Sequence, residues 1–241
     1  MTLLLALSGN DGLVVAGDSR GTFGDPRSIT AQNDSQKKLY VASKYTAILT
    51  AGQGELGATL MTRVMPKLQG VEGVTAVMER VREIVRDAYK EWFQGFALQP
   101  MAGSSAPLRP DLALLVAGYD LDGLGTPAQQ RLFQLVSQLD FAPMLHNYGF
   151  ALVGVAQYAL YLLNRLYKVE ASVQELKALA AYVITETASQ DGKVGGPVQM
   201  AVITPSTGGR EIERTEMEQL LPGNQSRSKA LKDLFYEGGG S

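Results

Sequence analysis

The chain has 241 residues, 45% of them hydrophobic, and its 22 Lys and Arg against 24 Asp and Glu leave a formal net charge of −2. That suits one domain with a sizeable core, and it offers no basic surface for nucleic acid or anionic lipid. With no cysteine and a single histidine, His146, the chain excludes disulfides, thiolate catalysis, cysteine-ligated zinc and two-histidine metal sites.

Leu3 to Ser8 reads as an apolar strand, Asn10-Asp11-Gly12 as a turn, and Leu13 to Gly17 as a returning strand. Asp18 follows at its end, and the antiparallel return brings Asp18 toward Thr2. Thr22 to Asp34 is polar and turn-rich. Lys37-Lys38 opens a short strand to Ala42, Ser43-Lys44 turns the chain, and Tyr45 to Ala51 forms the next strand, ended by Gly52-Gln53-Gly54. A helix from about Glu55 carries the stripe Leu56, Leu60, Met61 and Val64 and stops at Pro66. A second helix from Gly73 to Phe93 places Val74, Val77, Met78, Val81, Ile84, Val85, Ala88, Tyr89 and Trp92 on one face, with charges opposite.

Gln99 to Pro110 reads as a loop, Asp111 to Tyr119 as a strand, Asp120 to Pro127 as a turn, and Arg131 to Val136 and Tyr148 to Val153 as further strands. A third helix starts at Gly154 with the stripe Val155, Tyr158, Ala159, Leu162, Leu163 and Leu166. Ser172-Val173-Gln174-Glu175 is a capping box that opens a fourth. Asp191 to Gly196 is a glycine-rich turn, and Val198 to Thr204 alternates as a strand. Residues 1–222 are expected to form a single domain, and 223–241 a polar tail with a weak helix at about Ser228 to Phe235 and a flexible end at Gly238 to Ser241. Strands, a helix pair, strands, a helix pair and strands predict an α+β fold of two stacked antiparallel sheets with helices outside each.

No apolar run reaches the roughly 18 residues of a membrane span, and no basic segment precedes the first apolar run as in a signal peptide. A cytoplasmic location is the expectation. His146 reads as structural, and the acidic residues Asp11, Asp18 and Asp25 have no spacing that fixes a metal coordination sphere.

Thr2 sits directly behind Met1, and a small residue there normally lets the methionine be trimmed. A threonine with a free amine combines a hydroxyl nucleophile with a base whose ordinary pKa is about 7.7–8.0. Taken singly, the neighbouring features have plainer readings. Asp18 is a turn former, Lys37-Lys38 a solvated strand edge, and Gly52-Gln53-Gly54 the start of a helix.

Together and in order they resemble a known family. Thr2, the Ala-Gly-Asp-Ser-Arg run at Ala16 to Arg20 with Thr22 and Gly24 after it, Lys37-Lys38-Leu39, Thr50-Ala51-Gly52 before a helix, Gly118-Tyr119-Asp120, and Asp191 followed by Gly195-Gly196 are similar to proteasome β-type subunits. The resemblance spans about Thr2 to Ile203. It implies the four-layer αββα sandwich of N-terminal nucleophile (Ntn) hydrolases. It makes Thr2 the nucleophile and, through its amine, the base. Lys38 would be the cation beside the hydroxyl, with Lys37 as the alternative, and Asp18 its counter-ion. The Gly52 N–H would be the oxyanion donor. A peptide or unfolded protein would lie extended between Gly21-Thr22 and Gly52-Gln53-Gly54, with Gly21, Gln36, Thr50 and Gly54 bordering the specificity pocket.

Two positions depart from the family pattern. Val153-Gly154-Val155 stands where a Gly-Ser-Gly turn is usual, and Val194 where a serine often precedes the paired glycines, so the terminal amine would lean on Asp191, backbone groups or water. Gly154 to Tyr158 followed by Leu163-Asn164-Arg165 resembles the bacterial Anbu branch. The resemblance implies a homo-oligomeric ring or stack, no propeptide, no cofactor and no metal, and assigns no ATPase partner. A small-amide hydrolase on the same fold and a non-catalytic assembly subunit remain as alternatives.

Overall fold

The computed structural model describes residues 2–25, 28–98 and 106–236. Met1, part of the loop read from Gln99 and the segment Gly238 to Ser241 lie outside the described residues.

The molecule is built around a hairpin of β1 (Leu3–Ser8) and β2 (Leu13–Gly17), closed by a turn in which the Gly9 amide donates to Gly12 O at 2.8 Å. Both strands are apolar at nearly every position because both faces are covered. Leu3, Leu5, Leu7, Val14 and Ala16 pack into one cluster, whereas Leu4, Ala6, Leu13 and Val15 alternate with them into another. The hairpin is central in a five-stranded antiparallel sheet of order β10-β1-β2-β11-β12, where β10 is Phe150–Gly154, β11 is Gln199–Thr204 and β12 is Gly208–Glu211.

A second antiparallel sheet has the order β5-β6-β7-β8-β9, formed by β5 (Leu39–Ser43), β6 (Thr46–Gly52), β7 (Leu112–Leu121), β8 (Pro127–Val136) and β9 (Met144–Leu145). Ala47, Leu49, Leu115 and Ala117 of this sheet meet Leu4, Leu13 and Val15 of the first. On its other face Ile48, Leu114 and Val116 receive α1 (Gly54–Val64) and α2 (Val74–Trp92), through Leu60, Met61 and Val64 and through Val77, Val81, Val85 and Tyr89. The first sheet is covered by α3 (Ala156–Leu166) and α4 (Val173–Gln190), through Leu163, Leu176, Ala180, Val183 and Ile184. Ser172 and Glu175 form the capping box at the start of α4, where Ser172 Oγ accepts from the Glu175 amide and Glu175 accepts from the Ser172 amide at 2.8 Å. The layers are therefore helix pair, sheet, sheet, helix pair: the four-layer αββα sandwich expected from the element order.

The structure differs from that reading where strands are short or polar. Thr22 to Asp34, read as turns, forms a separate two-stranded sheet of β3 (Gly21–Asp25) and β4 (Ser28–Asn33), with a register shift between Phe23 and Gly24. GTFGD carries two glycines and a single large apolar residue, and SITAQN, although it alternates, offers only Ile29 and Ala31 as apolar positions, too short a pattern to outweigh the turn residues around it. β7 and β8 run on through residues read as a turn, so that Asp120 pairs with Gln129 and Leu121 with Pro127. Pro127 is the first residue of β8, the position where a strand tolerates a missing donor.

The C-terminal helix is much longer than the segment expected at Ser228 to Phe235. It is α5 (Arg214–Tyr236), and it holds Pro222 inside it. A proline costs one intrahelical bond, which here does not end the helix. The boundary expected after Pro222 falls within α5, and Asn224 beyond that point is buried. Lys177 Nζ of α4 donates to Glu216 Oε1 at 2.6 Å and ties α5 to the body of the domain. Among the described residues no helix is long and apolar enough to cross a membrane.

Candidate active site

Thr2 lies immediately before β1 and is almost fully buried. Its carbonyl accepts the Val155 amide at 2.8 Å, which fixes the residue at the edge where β1 pairs with β10. The end of β2 delivers Asp18 beside it, because Leu4 pairs with Gly17 in the hairpin register. Lys38 stands just ahead of β5. Its amide donates to Gln199 Oε1 at 3.0 Å, and the Thr50 amide donates to the Lys38 carbonyl at 2.9 Å.

These placements converge on one cluster. Lys38 Nζ donates to Thr2 Oγ1 at 2.6 Å, to Asp18 Oδ1 at 2.9 Å and to Arg20 O at 2.7 Å. Three acceptors match the three protons of an ammonium. Asp18 is fully buried, and its carboxylate is saturated with donors. Oδ1 also accepts the Leu3 amide at 3.0 Å, and Oδ2 accepts the Arg20 amide at 3.2 Å and the Gly195 amide at 3.1 Å. Burial pushes the Lys38 ammonium below its ordinary 10.5, and the charge and hydrogen bond of Asp18 oppose that shift. Lys37, the alternative, is exposed and faces Glu211 at 3.5 Å and the Tyr40 ring.

Gly52 ends β6 at φ +122°, and a Cβ there would strike Asp111 O. The Gln53 amide donates to Asp111 O at 3.1 Å, and Gly52 is opposite Leu112. Bonded and non-bonded pairs alternate in an antiparallel ladder, so Gly52 occupies a non-bonded pair. Its N–H is therefore directed to the opposite edge, the edge on which Thr50 N–H reaches Lys38 O. Beyond the end of β5 that edge opens into a cleft lined by Thr2, Arg20, Gly21, Thr22, Gln36, Gly52, Gln53, Gly54 and Glu55. A smaller chamber below is lined by Thr2, Gln36, Lys38, Thr50 and Gly57, among others. Thus Thr2, Asp18, Lys38 and Gly52 come together, and Gly21, Thr22, Gln36, Thr50 and Gly54 border the space beside them.

Asp191 forms hydrogen bonds within its own turn, and that turn meets the cluster where the Gly195 amide donates to Asp18. Its carboxylate accepts the Lys193 amide at 2.9 Å, and its carbonyl accepts the Val194 amide at 3.0 Å. These bonds shape the turn that presents Gly195 N–H to Asp18. The positions that depart from the family pattern have a physical reason. Gly154 has φ +100°, and a side chain there would run into Thr2 O, while Val194 is fully buried among apolar residues. Sequence reasoning missed the Arg20 carbonyl as the third acceptor of Lys38, the Gln199 side chain that pins the Lys38 backbone, and the Asp34 carboxylate that clasps the Arg20 guanidinium at 2.7 and 2.8 Å. Arg20 lies within the motif run, but nothing in a sequence marks a backbone oxygen as a ligand. Among the described residues no group of three or more His, Cys, Asp or Glu could hold a metal.

A four-layer αββα sandwich that sets a lysine–carboxylate pair against the residue after Met1 defines the class of N-terminal nucleophile hydrolases. Residues 2–203 match the family described as Proteasome subunit, and the chain belongs to that family. The proteasome subunit beta of Gordonia bronchialis is 25% identical over 233 residues, covering 90% of this chain and 72% of that protein. That of Mycobacterium sp. (strain KMS) is 28% identical over 246 residues, covering 95% and 74%. Among solved structures, Anbu (ancestral beta-subunit) from Yersinia bercovieri superposes with a TM-score of 0.74 at 15% identity over 99% of both chains. The helical assembly of the Anbu complex from Pseudomonas aeruginosa gives 0.74 at 18% identity over 99% of this chain and 97% of that one. At these identities the likeness is one of fold. At the level of the family the protein is a peptidase-type hydrolase.

Two predictions follow from the charges. Asp18→Ala leaves the Lys38 ammonium buried without a counter-ion and should cost about 3–5 kcal/mol in urea unfolding, with part of the loss recovered in Asp18→Ala/Lys38→Met. Equal instability of the single and double variants would count against the pairing. Because the folded pKa of Lys38 is depressed, the unfolded chain binds more protons in the window just below 10.5, so stability rises with pH there. Wild type should therefore gain stability relative to Lys38→Met as pH climbs from neutral toward 10.5, and a constant difference would contradict the shift.

Proposed function

We propose that this protein is a threonine endopeptidase whose nucleophile is Thr2 after removal of Met1, and that it works as a homo-oligomer enclosing its sites. The observation that carries the reading is the contact of Lys38 Nζ with Thr2 Oγ1 at 2.6 Å while the same ammonium is held by Asp18 at 2.9 Å. A positive charge at that distance favours an alkoxide-like oxygen and disfavours protonation of the adjacent amine.

The steps follow from the geometry. Thr2 Oγ adds to the peptide carbonyl carbon as its proton passes to the free α-amine. The developing oxyanion takes the Gly52 N–H. Collapse expels the amine of the leaving peptide, which receives the proton from the Thr2 ammonium, and an ester remains on Oγ. Water, deprotonated by the same amine, adds to the ester, and collapse breaks the bond to Oγ, which regains its proton from the Thr2 ammonium as the acid is released. The substrate runs extended between Gly21-Thr22 and Gly52-Gln53-Gly54, lending its backbone as an added strand. Asp191 is a positioning residue in this scheme, shaping the turn whose Gly195 amide holds Asp18.

The homo-oligomeric part draws on the family and on the neighbour described as a helical assembly of the Anbu complex. It also agrees with apolar side chains exposed on α3 and α5, among them Leu160, Tyr161, Leu166, Leu231 and Leu234.

Intact mass should show the native chain without Met1. Thr2→Ala should lose hydrolysis of unstructured peptides by about a thousandfold or more while still unfolding in one cooperative transition, and Thr2→Ser should retain turnover. Cleavage by Thr2→Ala at the wild-type rate would remove the assignment. Sedimentation at micromolar concentration should give a species larger than one chain; a monomer alone would refute the enclosed assembly.

A further inference from the structure

Gln36 is held by its backbone from both sides. Its amide donates to Ser19 O at 3.0 Å, and its carbonyl accepts from Gln199 Nε2 at 2.6 Å. Gln199 Oε1 in turn accepts the amides of Lys38 and Leu39 at 3.0 and 3.3 Å, so the backbone is fixed to the catalytic cluster. With the backbone pinned, the side chain reaches across the floor of the cleft. A methyl group at Gly21 would lie 3.0 Å from Gln36 Oε1, and one at Gly54 would overlap Gln36 Nε2. The two facing walls are glycine where the carboxamide fills the space between them.

Behind that carboxamide is the small chamber whose walls include Lys38, Thr50 and Gly57, and it has room for about one water molecule. Thr2 and Gly52 also line it. The same two groups, which would attack and hold the substrate carbonyl, also line the open cleft; with the extended backbone in that cleft, the chamber beneath them is the space left for the side chain of the residue bearing that carbonyl. Side chains of an extended substrate alternate in direction, so its immediate neighbours project elsewhere.

We propose that Gln36 is a specificity-determining plug that restricts the residue on the acyl side of the scissile bond to glycine, alanine or serine. The proposal rests on the peptidase reading above and narrows it to a substrate class. A larger apolar side chain would have to displace the Gln36 carboxamide from between Gly21 and Gly54, and would be placed against the Lys38 stem and Thr50.

The test uses the full chain, fluorogenic peptides that differ only in that residue (Ala, Leu or Phe), and matching peptidyl vinyl sulfones that alkylate Oγ of an N-terminal threonine. Wild type should process the Ala peptide at least about tenfold better in kcat/KM than the Leu or Phe peptides, the scale of discrimination that a filled pocket gives. Gln36→Ala should reverse that order, and the near-isosteric Gln36→Glu should keep it. Equal rates for Ala and Phe in wild type, or an unchanged ratio in Gln36→Ala, would overturn the plug while leaving the peptidase intact. Absence of both turnover and a Thr2 adduct with every peptide would overturn the peptidase reading and the plug with it.

Discussion

A lysine ammonium and an aspartate carboxylate, both almost fully withdrawn from water, sit at the centre of this molecule. Removing two such charges from solvent costs several kcal/mol each, and their attraction offsets that cost only when every remaining valence is satisfied. Here each one is. Asp18 takes three backbone amides besides the ammonium, and the ammonium takes a backbone carbonyl and the Thr2 hydroxyl besides the carboxylate. The donors come from the start of β1, the segment after β2 and the turn after α4, so the pair exists only when distant parts of the chain have docked. Among the described residues the pair's one side-chain hydrogen bond beyond itself goes to Thr2 Oγ1, and in the proposed reaction its value lies in what it does to that oxygen.

The sandwich explains why such a pair can persist. β1 and β2 are flanked on one face by α4 and on the other by the second sheet, and neither face has room for water. Thr2 sits at the one end of β1 where cover stops, so its hydroxyl meets a cleft while its carbonyl stays in the β1–β10 edge. A rigid interior strand that ends at an open edge holds the residue before it more tightly than a loop would, which suits the role proposed for Thr2. The same layering holds Gly52 in place, because β6 is interior to its own sheet and ends where α1 begins.

How far the sequence revealed this depended on what kind of signal each part leaves. Leu3 to Gly17 was legible because strands covered on both faces read as continuous apolar runs joined by a turn, the Val74 to Trp92 stripe because burial on one face writes itself as periodicity, and Ser172 with Glu175 because capping has fixed chemistry. β3–β4, β9 and β12 were not. Two are very short, and β3–β4 lies in a polar stretch whose glycines and proline read as turns. α5 was hidden by Pro222, whose usual meaning is a stop. In the site, Thr2, Asp18 and Lys38 could be read from residue types in order. The Arg20 carbonyl and the Leu3 and Gly195 amides could not, since backbone groups carry no residue signature.

That last point bears on the hydroxyls missing at Gly154 and Val194. Around the cluster, Gly52, Gly54, Gly154, Gly195 and Gly196 all stand where a Cβ would collide, with Asp111 O, Gln36, Thr2 O, the Arg20 guanidinium and Ser19 Oγ respectively. Glycine at these positions therefore lets main chain and side-chain ends approach one another closely around the site. A serine at position 154 would need both a positive φ of 100° and a displaced Thr2 carbonyl, so the hydroxyl could be gained only by moving Thr2 itself. In the proposed reaction the Thr2 amine would be served by backbone groups and by the fixed field of Lys38 and Asp18. The loss of two hydroxyls then follows from the packing that places Thr2, and does not by itself mark a dead site.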